Sequence, residues 1–354
     1  MAKAAISEAL WESLYKVAVE IKKIAPWKYM SEKLVFGVEH PKTKELGFVS
    51  ILGALSEHYA VTVYQGVSTI HKLVELYENP ELHNPTFILE LPQIQLSFED
   101  RDYLGDEDYQ QIQKLGLKFR GKKAWPLFRT IRPCFMPWFM ESPKEAEFLL
   151  YALEQALVVC PRVYKNPEML YDLTSKKFLI RKTTSPKNKV WTEEIREISS
   201  HEDLSDIVTL DFQQLHKLKN FKRTANIIEL DYFLFPSPIH ESMEEPGFMV
   251  YALLAVDHSS GTVTGYQMSS PKEDPFEELG ATLASRTMAF LQEVNILPKA
   301  FYVRSSTLWN RLKPLTNALD IALVKKDNLE KVNEIRDRLT HRKNLMSLLE
   351  EDEN

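Results

Sequence analysis

The chain has 354 residues, 44% of them hydrophobic and 27% charged, with glycine scarce and proline dispersed; this excludes disordered, collagen-like and low-complexity classes. A formal charge of −6 opposes non-specific attraction of the whole molecule to nucleic acid. No apolar run is long enough to cross a bilayer, and the two cysteines, Cys134 and Cys160, are too few for a disulfide framework or a thiolate zinc site.

This length exceeds that at which one core keeps growing, so two domains are expected, in a cytoplasmic protein whose N-terminus is an amphipathic helix and not a signal peptide. That helix places Ile6, Leu10, Leu14, Val17 and Ile21 on one face and stops at Pro26. Strands are expected over Leu34 to Glu39, Leu46 to Leu52 and Tyr59 to Tyr64 as an antiparallel meander. A helix after Ser68 follows, then a strand over Phe87 to Phe98 and a short helix capped by Asp106 and ended by Gly116. Ser142-Pro143-Lys144-Glu145 is a capping box opening a helix that Pro161 and Pro167 close, so the first domain, of α+β class, is set at 1–165.

Residues 166–225 alternate strand-like pieces (Phe178 to Thr183, Val190 to Ile198, Ile207 to Phe212) with lysine-rich turns and are taken as a connecting β-rich segment. A second domain is set at 226–345, before an acidic tail at 346–354. Three strands come first, Asn226 to Phe235, Phe248 to Val256 and Val263 to Met268, the last two joined by a turn at Asp257–Gly261. A helix capped by Asp274 with Glu277, a strand over Ala300 to Arg304, a helix containing Pro314, a strand over Ile321 to Val324 and a helix capped by Asp327 complete the order βββαβαβα. Three antiparallel strands with two right-handed crossovers make a mixed five-stranded sheet.

The least ordinary passage is Tyr109 to Met140, which has seven Lys and Arg, many aromatics and no acid. Such a run binds a phosphate backbone while stacking on bases, or forms strands whose basic stems lie over a core. The ligand-site reading places Arg120, Trp125, Arg129, Arg132 and Trp138 on one concave surface facing Asp100 and Arg101 in the acidic turn Glu99 to Asp102, where an anion binds. The alternative is an internal salt-bridge network with buried tryptophans. His58 and His40 fall where they could approach the same carboxylates, but no metal-ligand spacing occurs. Nucleophile elbows, phosphate loops and dinucleotide motifs are likewise missing from the sequence, so neither cofactor nor metal is expected.

The βββαβαβ order of the second domain resembles the ribonuclease H-like fold. A nuclease of that fold holds two metal ions with carboxylates from the first strand, first helix, fourth-strand end and last helix. The candidates are Glu229, Asp231, Glu278 and Asp327, but the fourth strand ends in Arg304, which competes with a cation. The residues Ser97-Phe98-Glu99-Asp100-Arg101, Leu115 to Lys122, Trp125-Pro126-Leu127-Phe128-Arg129, Arg132-Pro133 and Pro137-Trp138 resemble an uncharacterised bacterial two-domain family. Its members join this N-terminal domain to one similar to Phe248 to Asp327, and some carry a cysteine-rich tail that this chain lacks. The resemblance implies a bacterial intracellular protein of unassigned function. Together these features favour a non-enzymatic binding or regulatory protein with a catalytically silent ribonuclease H-like domain and no membrane partner. The competing expectation is a metal-dependent nucleic-acid-processing enzyme of a mobile-element or defence system. Nucleic acid or an anionic partner segment is the partner class that the basic stretches suggest.

Overall fold

The computed structural model describes residues 5–78, 85–185, 190–198, 210–235, 237–273 and 282–339. The chain divides into two units, Met1–Ser200 and His201–Asn354.

The first unit opens with α1 (Glu8–Ile24), capped by Ser7, whose side chain accepts from the Leu10 N–H. Its buried stripe is Trp11, Leu14, Tyr15, Ala18 and Ile21, turned slightly from the expected one because the large rings of Trp11 and Tyr15 go inward. Strands β1 (Phe36–Glu39), β2 (Leu46–Leu52) and β3 (Tyr59–Gln65) form the expected antiparallel meander. Helix α2 (Val67–Glu78) leads towards β4 (Gln93–Glu99), which pairs antiparallel with β3. The expected strand start at Phe87 is overturned. Residues 85–90 form a 3-10 turn and pairing begins only after Pro92, which has no N–H to give to a ladder.

Helix α3 (Asp106–Lys114), β5 (Trp125–Ile131), the short β6 (Trp138–Phe139) and α4 (Pro143–Lys165) follow. Ser142 caps α4 as expected, accepting from Glu145 N–H, but the helix runs through Pro161 instead of ending there. Burial of Val159, Cys160 and Val163 against the core outweighs the hydrogen bond that the proline removes. Strands β7 (Lys177–Ser185) and β8 (Val190–Glu197), expected in a connecting segment, pair into the first unit's own sheet. The sheet order is β6-β5-β4-β3-β2-β1-β7-β8, with β1–β7 its parallel pair. Alternation sorts the two faces. Val49, Ile51, Val61, Val63, Ile94 and Leu96 pack with α1 and α4, whereas Phe48, Tyr64 and Ile180 pack with Ile70, Leu73 and Val74 of α2.

In the second unit α5 (Phe212–Leu218), capped by Asp211, takes up Phe212, which had been expected in a strand. The short β9 (Lys222–Arg223) pairs with β13 (Ile296–Leu297). The main sheet contains β10 (Ile227–Leu234), β11 (Tyr251–Asp257), β12 (Val263–Ser269), β14 (Ala300–Val303) and β15 (Ala322–Lys325) in the order β12-β11-β10-β14-β15. The β10–β14 and β14–β15 pairs are parallel and the others antiparallel, which is the mixed five-stranded sheet expected. Helices α6 (Leu283–Val294) and α7 (Ser306–Leu319) join α5 against Ile228, Leu230, Phe301 and Val303 on one face. A further helix, α8 (330–339 of the described residues), brings Val332, with Leu329 just before it, against Phe233, Leu254 and Val256 on the other. The expected cap at Asp274 and Glu277 lies outside the described residues.

Candidate functional site

Because Ile228 and Leu230 face the helices α5 to α7, alternation along β10 turns Glu229 and Asp231 towards α8. Both are buried, at 1% and 2% exposure. Buried carboxylates must be paired or hydrogen-bonded, and each is. Glu229 Oε1 lies 2.6 Å from His258 Nδ1, and its Oε2 accepts the backbone N–H of Val332 at 2.9 Å. A carboxylate only accepts, so His258 Nδ1 is the donor in this contact. Val332 is the third residue of α8, so Glu229 takes one of the N–H groups that a helix start leaves unmet. Asp327, the expected cap, is exposed and precedes the helix by three residues.

Asp231 is held by two arginines on one oxygen. Arg304 Nη2 donates to Oδ2 at 2.8 Å and Arg336 Nη1 at 3.1 Å. The Arg336 guanidinium also stacks 4.3 Å from the centre of the Phe233 ring, and Arg304 reaches Asn333 Oδ1 at 3.5 Å. Burial and the neighbouring Arg304 charge push the pKa of Arg336 below its ordinary value, against the opposing pull of Asp231. Of the four sequence-predicted acids, Glu229 and Asp231 are neighbours on β10, Asp327 is solvent-facing and Glu278 lies outside the described residues. Among the described residues no group of three or more His, Cys, Asp or Glu is placed to hold a metal ion.

The basic stretch of the first unit is a correction. Arg129 does not face the Glu99–Asp102 turn; it forks onto Asp108, Nη1 to Oδ1 at 2.8 Å and Nη2 to Oδ2 at 2.6 Å. Asp108 Oδ2 also accepts from Gly105 N–H at 3.0 Å, fixing the start of α3. Trp125 packs edge-on to Phe119 and against the core, and Trp138 is half-buried in β6. Arg120 and Arg132 are exposed, and Arg101 lies over the Tyr109 ring at 5.6 Å. The acidic turn is served by a lysine instead. Lys123 N–H donates to Asp100 at 2.5 Å and its ammonium lies 3.3 Å from Glu99, whose other oxygen is 2.8 Å from His58 Nδ1. His58 therefore reaches the carboxylate anticipated for it, whereas His40 accepts from Lys42 and Thr43 N–H groups and packs on Phe148. Lys22 donates to the Lys123 carbonyl and sits about 5 Å from the Trp27, Tyr59 and Phe98 rings, its pKa lowered first by burial and then by Lys123.

His258, Arg336, Asp108, Lys22 and Lys123 are the members that the sequence did not single out. A sequence signal existed for Arg336, and the strand register accounts for His258. Arg336 follows Leu329 and Val332 at spacings of seven and four on the apolar face of α8, an unusual place for a charge. The β10–β11 register, with Ile228 opposite Asp257, puts His258 beside the first strand.

No helix among the described residues is long and apolar enough to cross a membrane, and Cys134 and Cys160 are buried free thiols. Residues 11–181 match the family model described as Domain of unknown function (DUF7309), and residues 214–340 match Domain of unknown function (DUF6930). A search of curated proteins returned no match. The two matches cover the N- and C-terminal parts of the chain and are consistent with an uncharacterised two-domain family.

Proposed function

We propose that the protein is a non-enzymatic binding protein of the cytoplasm, whose second unit is a ribonuclease H-like scaffold with guanidinium groups in the place of catalytic metal ions. One observation carries this reading: Asp231, the central first-strand carboxylate, is bound by Arg304 from the end of the fourth strand and by Arg336 from α8. A divalent cation at Asp231 would have to displace both guanidiniums and sit beside their charges. Glu229 is committed as well, to His258 and to the Val332 N–H. The strand order, with a meander followed by two parallel strands beside the first, supports the scaffold assignment. The two reduced cysteines support the compartment.

The test is a cleavage assay on purified protein with magnesium or manganese, offering single-stranded DNA, RNA, duplex DNA and RNA–DNA hybrid. No turnover above a buffer control is expected. Metal-dependent cleavage that disappears in Asp231→Asn would overturn the proposal.

A further inference from the structure

Helix α1 stops at Ala25, and the turn after it brings Trp27 beside Tyr59, which opens β3, and Phe98, near the end of β4. Trp27 stacks on Tyr59 with ring centres 4.9 Å apart and leans on Phe98 at 5.5 Å. The ammonium of Lys22, from the last turn of α1, lies 5.4, 5.2 and 4.9 Å from the centres of these three rings. Its hydrogen bond goes to a neutral acceptor, the Lys123 carbonyl, and among the described residues no carboxylate pairs with it. The nearby acids are engaged elsewhere. Glu99 is bound by the Lys123 ammonium at 3.3 Å and by His58 at 2.8 Å, and Asp100 accepts the Lys123 N–H. Lys123 thus serves both sides: its carbonyl takes the Lys22 amine, while its own ammonium answers Glu99 and the Glu57 carbonyl.

The backbone reaches this arrangement through left-handed conformations that side chains rarely adopt. Ala25 (φ 44°), which directs Trp27, Ser56 (φ 65°), which leads into Glu57 and His58, and Lys123 (φ 50°) are three of the eight non-glycine residues with positive φ among the described residues. Such outliers persist where surrounding contacts impose them, and they collect at functional sites.

A lysine in water is a poor nucleophile because its amine is protonated. Removal of water and a neighbouring cation both activate it, and Lys22 has three rings and Lys123 around it. Burial first, and then Lys123, lower its pKa, against Asp100 and Glu99. The rings pull the other way, since they attract the charged form.

We propose that Lys22 is a reactive amine that captures a small uncharged aldehyde or ketone as an imine. Its nitrogen lone pair adds to the carbonyl carbon; the carbonyl oxygen then leaves as water with the two amine protons, so C=N replaces C=O and nothing is oxidised or reduced. An uncharged compound fits because the two lysines and two carboxylates of the cluster already balance, and an apolar body suits the rings. Lys22 is half-buried and the His58 side chain is 44% exposed, so the cluster reaches solvent. This adds a covalent ligand of the first unit to the binding reading and does not depend on the scaffold of the second.

The experiment treats the full chain with benzaldehyde and cyanoborohydride, which fixes the imine, and follows each lysine by peptide mass mapping across a pH series. At pH 7 Lys22 is expected to be labelled at least roughly fivefold faster than the exposed Lys16 and Lys118. Its rate should also reach half-maximum at lower pH than theirs. Lys22→Arg should lose the fast adduct. Lys123→Asn keeps the backbone hydrogen bonds to Asp100 and Lys22 and suits a positive φ, so it removes the neighbouring cation alone and should slow labelling of Lys22 roughly threefold. A lysine that only packs its stem over the rings predicts no such dependence. If Lys22 is labelled no faster than Lys16 and Lys118, or reaches half-maximum at the same pH or above, the attraction of the rings has prevailed and the proposal is overturned. Unchanged labelling of Lys22 in Lys123→Asn overturns it too. The wild-type comparison involves no substitution, so it decides the matter even if a variant is unstable.

Discussion

Asp108 in the first unit and Asp231 in the second are equally buried, at 2% exposure each, yet they are neutralised differently. Asp108 uses both oxygens to hold one guanidinium, that of Arg129, and adds the N–H that starts its own helix. Asp231 gathers two guanidiniums on a single oxygen. The first arrangement is closed, with one charge of each sign and most acceptor positions filled. The second sets two guanidiniums from different elements against one carboxylate. Equal burial therefore conceals two different jobs: a fastening for α3 against β5, and a tie that draws the end of β14 and α8 onto β10.

The largest expected effect comes from removing either carboxylate. Asp231→Asn and Asp108→Asn should each cost about 3 kcal/mol or more in urea unfolding, since an uncompensated buried charge is left behind. Replacing the pair together sharpens the contrast. Asp108→Leu with Arg129→Met should come back to within about 1.5 kcal/mol of wild type, because a closed ion pair is exchangeable for apolar packing. Asp231→Leu with Arg304→Met should not recover in this way, because Arg336 keeps its charge; recovery there would show that the two sites are alike after all.

Asp257 supplies a third case, a carboxylate bound by neutral donors: Asn226 Nδ2 at 2.7 Å and the N–H groups of Ser259 and Ser260. The Asn226 hydrogen bond first, and then that from the Ser260 backbone, hold its pKa below the ordinary value. A depressed carboxylate stabilises the fold above its unfolded pKa, and that contribution is lost as pH falls through the folded one. Asp257→Asn should thus cost about 1 kcal/mol at neutral pH and flatten the loss of stability below about pH 4, as followed by urea midpoints across an acid series. The smallest effect belongs to the exposed cations of the basic stretch. Arg120→Ala and Arg132→Ala should each change stability by less than about 0.5 kcal/mol, against a loss of about 3 kcal/mol for Arg129→Ala; equal losses would mean that all three arginines are fastenings.

Much of the architecture was legible because it rests on short-range chemistry. The Ser142 cap, the turn at Asp257–Gly261 with Gly261 at φ 69°, and the alternation that pairs Glu229 with Asp231 on one face all follow from local residue types. What stayed hidden depended on distant partners. Nothing local says that Pro161 lies inside a helix, because the gain that keeps α4 going comes from strands elsewhere in the sheet. The β7–β8 hairpin looked like a linker because β8 is mostly exposed and its place beside β1 comes from a parallel pairing across more than a hundred residues. At the candidate sites, sequence placed the carboxylates but not their cations. Arg304 was visible as a rival to metal from its position alone, whereas Arg336, Asp108 and Lys123 come from other elements.

The bond from Val332 to Glu229 has a consequence for how α8 moves. Its amide proton is shared with a buried carboxylate, and exchanging it with solvent requires that contact to open. Further along α8, Leu339 is exposed. Deuterium uptake should therefore be graded along the helix, faster at the exposed Leu339 than at Val332, with the Val332 rate reporting how readily the helix lifts from the sheet.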